Sequence, residues 1–105
     1  MRTATVRRDN RYATRLDVKV SAVLREYGSS QRFEVDLEDL SLTGFRCCTS
    51  FRLSVGQTVA VTIPGLAPLQ ARVARADGHN YGCAFERALH VAVFDHLVRR
   101  HRKDR

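Results

Sequence analysis

Two short stretches combine residue types at spacings that could do chemistry. Arg11-Tyr12-Ala13-Thr14-Arg15 places two guanidinium groups four residues apart. Arginine carries a planar fork of donors that matches phosphate oxygens and also stacks on aromatic rings. Asp39-Leu40-Ser41-Leu42-Thr43-Gly44 brings a carboxylate, a hydroxyl and a glycine into six residues. The carboxylate accepts hydrogen bonds, the hydroxyl both donates and accepts, and the glycine permits positive φ or close backbone approach. This is a vocabulary for holding a polar, phosphate-bearing ligand.

Residue types suited to catalysis are not arranged for it. The chain contains no G-x-S-x-G, P-loop, H-E-x-x-H or G-x-G-x-x-G. His79, His90, His96 and His101 have no i, i+4 pair. Cys47, Cys48 and Cys83 lack C-x-x-C spacing and are an odd number, which fits small buried hydrophobes in a reducing compartment. His79 with Cys83 is the nearest metal-like pair, and no second pair flanks it, so no metal or cofactor is expected. Glu34, Asp36 and Glu38 alternate along one strand face, which reads as a solvated face rather than a carboxylate dyad. The expectation is a protein that is not an enzyme.

The two stretches must be positioned by a small β-rich body. Apolar and polar residues largely alternate over Leu16–Leu24, Phe33–Glu38, Phe45–Thr49, Thr58–Ile63, Leu69–Arg75 and Tyr81–Phe85. Each run ends near turn residues such as Gly28-Ser29, Pro64-Gly65 and Asp77-Gly78. Six short strands at this spacing predict a mainly β fold, a small six-stranded antiparallel barrel. The parity slips at residues 38–40, where Asp39 and Ser41 take the apolar phase and Leu40 and Leu42 the acidic one. A one-residue slip exchanges faces, so the chain must bulge or turn there. After Glu86 the period changes: Leu89, Val93 and Leu97 recur every four residues. That predicts a C-terminal helix over 88–101. The reading is one domain over 1–105: a flexible Arg-rich arm at 1–15, a barrel at 16–87, then the helix.

Charge narrows the choice of partner. The formal net charge is +7, but residues 1–15 carry +4, residues 99–105 carry +4, and the 83 residues between them carry −1. A duplex binder spreads its basic residues over a surface that tracks many phosphates. Two basic ends on a near-neutral body disfavour nucleic acid. No apolar run is long enough to span a bilayer, and the first eight residues lack the apolar core of a signal peptide. A cytoplasmic location without membrane association is expected.

R-x-x-x-R immediately before the first strand, followed by D-x-S-x-x-G at a break between strands, then short strands and a C-terminal helix, resembles the PilZ domain family. The resemblance spans about Arg8 to Leu97. It implies a six-stranded barrel that binds cyclic di-GMP, with Arg11 and Arg15 clamping the nucleotide from the arm. It implies that Asp39 and Ser41 hydrogen-bond a guanine edge and that Gly44 holds the turn. The chemistry agrees: arginine pairs with guanine O6 and N7 or stacks on the ring, and a carboxylate accepts from the N1–H and N2–H₂ edge. Arg7 and Arg11 also satisfy R-x-x-x-R, but Arg15 abuts the first strand. Asn10 stands where family members that hold a ligand dimer often carry a further arginine; Arg7 or Arg8 could substitute. The implied function is a receptor whose arm changes conformation on binding and signals to a protein partner. The alternatives are a small basic nucleic-acid-binding barrel and a PilZ-like protein-interaction module that does not bind the nucleotide.

Overall fold

The computed structural model describes residues 16–102. Six strands follow one another: β1 (Leu16–Glu26), β2 (Arg32–Leu40), β3 (Gly44–Cys48), β4 (Thr58–Thr62), β5 (Leu69–Asp77) and β6 (Asn80–Phe85). They close into an antiparallel barrel in the order β1-β2-β3-β6-β5-β4, with β4 pairing back to β1. Closure leaves no long edge for another chain to extend.

The alternation in the sequence is the alternation of the barrel wall. Val59 and Val61 on β4 and Ala71 and Val73 on β5 point inward and are fully buried, whereas Thr58, Ala60, Gln70 and Arg72 point outward. Small Ala22 and Ala71 alternate with bulkier Leu24, Leu37 and Phe45, so the interior is filled by side chains. The turn between β4 and β5 carries its own signal. Leu66 N–H donates to Ile63 C=O at 2.9 Å across Pro64-Gly65, and Gly65 has φ +94°. Proline first and a left-handed glycine second is the chemistry of a type II turn.

The C-terminal helix, α1, covers Val91–His101. It begins three residues later than the periodicity predicts. His90 is extended (φ −65°, ψ 142°), and its imidazole Nδ1 accepts from Ala92 N–H at 3.0 Å, capping the first turn. Leu89 is buried but precedes the helix. The buried face of α1 is Phe94, Leu97 and Val98, with Val93 partly covered. It packs against β1, and an antiparallel bridge joins Arg102 to Val18. Arg99 and Arg100 lie in the last turn, where positive charge suits the helix dipole.

Candidate functional site

The Asp39–Gly44 segment is where the barrel departs from regular pairing. Leu37 pairs with Cys47 on β3, and the next pair is Asp39 with Arg46. Glu38 is therefore the extra residue of a bulge. On the other side, β1 pairs Asp17 with Asp39 and Val20 with Leu37, another irregular step. The parity slip in the sequence is this bulge. Because of it, Glu38 and Asp39 both reach the same outward guanidinium: Arg46 Nε lies 3.1 Å from Asp39 Oδ2, and Arg46 Nη2 lies 3.7 Å from Glu38 Oε1. Consecutive residues of a regular strand would face opposite ways.

Leu40 and Leu42 then return inward and are among the most buried side chains of the protein. Burial of one such leucine stabilises the fold by roughly 1.5–3 kcal/mol. Backbone bonds fix the turn to the segment after β6: Phe85 N–H donates to Thr43 C=O at 2.8 Å, and Leu89 N–H donates to Leu42 C=O at 2.7 Å.

Ser41 and Gly44 hold this turn from inside. The Ser41 hydroxyl accepts from Thr43 N–H at 3.2 Å and from Gly44 N–H at 3.1 Å, and Ser41 N–H donates to Gly44 C=O at 2.9 Å. Ser41 is 4% exposed. Its acceptor capacity is turned to the loop's own amides, and its O–H lies 3.3 Å from Gly44 C=O. Gly44 answers the two options left open by the sequence. It does not adopt positive φ. A Cβ there would lie 2.2 Å from the backbone oxygen of Cys83, so close approach is what requires glycine.

Asp39 is also buried, at 7% exposed, but it is the member of the motif that lines a surface groove, with Oδ2 against Arg46. Arg46 stands between two surface grooves. One, of 630 Å³, is lined by β1 and β2 residues including Lys19, Ser21 and Glu38. The other, of 410 Å³, runs from Asp39 past Gly82 to Arg75. Both are within the size range of small-molecule sites. Arg46 and Arg75 were not singled out from the sequence. The signal was present for Arg46, which shares the strand that follows the motif, but its pairing with Asp39 depends on the bulge register. Arg11 and Arg15 lie outside the described residues.

The other candidate chemistry resolves into structure. Cys47 and Cys83 are buried free thiols inside the barrel, and Cys48 is half-buried. Cys47 is raised well above the ordinary thiol range by the hydrogen bond it shares with Cys83 and by burial. Among the described residues no group of three His, Cys, Asp or Glu side chains could hold a metal ion. Among them, too, no helix is long and apolar enough to cross a membrane.

Comparisons with known proteins agree with this architecture. A solved structure described as the PilZ domain of CeSA from a cellulose-synthesizing bacterium superposes with a TM-score of 0.57 at 20% identity, covering 83% of this chain and 92% of that one. That likeness is one of fold. No curated protein matches the sequence. The PilZ domain family model matches residues 5–100. With the six-stranded barrel, the bulged D-x-S-x-x-G turn and a match over nearly its whole length, the chain belongs to the PilZ domain family.

Proposed function

We propose that this protein is a non-catalytic receptor for cyclic di-GMP. The family's general role is to receive this nucleotide. The observation that carries the reading to this chain is the bulge at Glu38, which sets Asp39 beside Arg46 at the base of a surface groove. A carboxylate fixed there is suited to the N1–H and N2–H₂ edge of guanine. Arg11 and Arg15, just before β1, supply the phosphate and base contacts. Asp17 on β1 is paired with Asp39, so β1 begins next to the motif. Ser41 and Gly44 serve the site by holding the turn that places Asp39.

The arm at residues 1–15 changes conformation on binding, and this is what a protein partner reads. Ordering a segment on its ligand converts occupancy into shape. The ligand is an intracellular messenger, so the receptor acts in the cytoplasm. The test is calorimetry with cyclic di-GMP. Wild type binds saturably at micromolar concentration or below, on the order of −8 kcal/mol. Arg11→Ala combined with Arg15→Ala abolishes the signal. Unchanged affinity in the double variant sinks the assignment of the arm. Binding of oligonucleotides that falls steeply with salt, without cyclic di-GMP binding, would favour a nucleic-acid barrel instead.

A further inference from the structure

The strand β2 carries a second feature, towards its other end. β1 and β2 meet at Leu16 and Leu40 beside the Asp39–Gly44 turn, and at Arg25 and Arg32 at the far end of the barrel. Phe33 begins the inward series that continues with Val35 and Leu37, and it is partly covered. Phe51, in the segment between β3 and β4, stacks on it, with ring centroids 4.0 Å apart and planes 26° from parallel. Phe33 thus takes one face of Phe51, yet Phe51 remains 45% exposed. The outward series on the same strand is Glu34 and Asp36, both exposed. A groove of 410 Å³ brings the two series together: Glu34, Asp36 and Phe51 line it with Cys48, Thr49 and His79.

The loop that carries Phe51 is pinned along its length. Thr49 N–H donates to His79 C=O at 2.9 Å, and Phe51 N–H donates to Thr49 Oγ1 at 3.1 Å. Leu53 N–H donates to the phenolic oxygen of Tyr81 at 3.1 Å, and Ser54 N–H to Gln57 Oε1 at 2.8 Å. A ring held in this way needs little further ordering when a partner docks on it. The carboxylates are uncommitted. Among the described residues neither Glu34 nor Asp36 has a hydrogen bond or an ion pair, although Arg32 and Arg52 are close in sequence. No lysine or arginine lines the groove. Two carboxylates repel a dianionic nucleotide, which separates this groove from the receptor site. Carboxylates alone would make a solvated face. The exposed aromatic face beside them gives the groove a preference, since a flat cation can lie on the ring and turn its edge to the carboxylates.

We propose that this groove docks an arginine of a protein partner, with the guanidinium on the free face of Phe51 and its donor fork turned to Glu34 and Asp36. The proposal rests on the receptor reading only for the existence of a partner, and it names the surface and the chemistry of the contact. Arginine suits the groove better than lysine, because its planar fork can stack and pair with a carboxylate at once. No residue of the Asp39–Gly44 turn lines the groove, so nucleotide and partner can be held together. β2 joins the two places, with Glu34 and Asp36 in its first half and Asp39 near its end.

The test follows backbone amide resonances of the full chain during titration with a synthetic peptide of alternating leucine and arginine, and with its lysine and glutamate counterparts. The arginine peptide is expected to give saturable shifts centred on Glu34, Asp36, Cys48, Phe51 and His79. The lysine peptide should bind about threefold more weakly or worse, and the glutamate peptide should not bind. Phe51→Ser, and separately Glu34→Gln with Asp36→Asn, should each raise the Kd of the arginine peptide by about threefold or more, the scale of one exposed cation–aromatic contact. Circular dichroism checks each fold. The carboxamide pair keeps the side-chain size, so it decides the matter if Phe51→Ser does not fold. No saturable shift, shifts centred elsewhere, equal affinity for the lysine peptide, or wild-type affinity in the carboxamide variant overturns the proposal. If the same resonances move with protein concentration alone, a second copy fills the groove and the partner assignment falls. Cyclic di-GMP affinity should be unchanged in all these variants. Failure of wild type to bind that nucleotide removes the receptor reading and leaves the peptide result standing.

Discussion

At the scale of single residues, the motif separates into one group that lines a surface groove and two that build the turn. Asp39 pairs with Arg46 at a groove; Ser41 and Gly44 make the turn that carries it. The two internal residues should therefore report first on stability. Ser41→Ala removes the acceptor of two amide hydrogens in a largely buried turn. Leaving such donors unsatisfied costs about 1–3 kcal/mol. For a domain of this size, thermal melting should show a fall of roughly 4–8 °C for each kcal/mol. Gly44→Ala is expected to be worse, because the clash is with main chain rather than a movable side chain; overpacking costs about 1–3 kcal/mol and occasionally more. A melting temperature unchanged in both would show that the turn does not depend on these contacts.

The thiols give a prediction with a definite sign. Cys47 is held protonated by the bond shared with Cys83 and by burial, above its ordinary value of 9.0. A group raised in the folded state contributes stability below its unfolded pKa, and that contribution is lost as pH rises above it. Denaturant titrations should accordingly show stability declining above about pH 9. In Cys47→Ala that part of the decline should shrink. At pH 8 a thiol reagent should modify half-buried Cys48 before Cys47. Equal rates would mean that the barrel opens faster than the reagent reacts.

At the scale of elements, the strands were legible because each carries its own period and its own turn residues. The β4–β5 hairpin shows why: Val59 and Val61 against Thr58, Ala60 and Thr62 state the faces, and Pro64-Gly65 states the turn. The slip at residues 38–40 was also legible, as a conflict of parity. What it did could not be read, because a bulge is defined by the partner strand, and the pairing of Asp39 with Arg46 is a long-range fact. The same holds for Arg75, whose outward position depends on the bulge at Ala74 against β6. The helix start was missed because Leu89 continues the helical period while belonging to the segment that binds Leu42 C=O. The cap is a histidine, outside the usual Ser, Thr, Asp and Asn set. Near the other end of α1, His101 has its pKa lowered, first by burial and then by Arg100 and His96, and its Nε2 is buried without a partner among the described residues. A histidine lowered in the folded state favours the neutral form, so stability is lost as pH falls below the ordinary value of 6.5. His101→Gln should flatten this acid-side slope in a denaturation series; an unaltered slope would place its origin elsewhere.

At the scale of the whole molecule, the division of charge organises the account. The body between residues 16 and 98 carries −1 while the two ends carry +4 each. On the body, the acidic bulge of Glu38 and Asp39 pairs with Arg46 beside two surface grooves. A small dianionic ligand with two bases can join the two parts, since its phosphates suit the arm and its base edges suit Asp39. A duplex, which needs many spaced phosphate contacts, finds no such surface on the body. Nucleotide binding should therefore weaken only modestly between low and physiological salt. A steep, many-ion dependence would mark a polyanion binder.

The central claim, that the arm and the bulged turn form one site for cyclic di-GMP, is tested most directly by following backbone amide resonances of the wild-type protein during titration with that nucleotide. The account predicts saturable shifts confined to residues 1–15, to Asp39–Gly44 and to Arg46, Arg75 and Gly82, with the distal Gly65 turn unmoved. Saturation without any change at residues 11–15 and 39–44, or no saturable change at all, would contradict it.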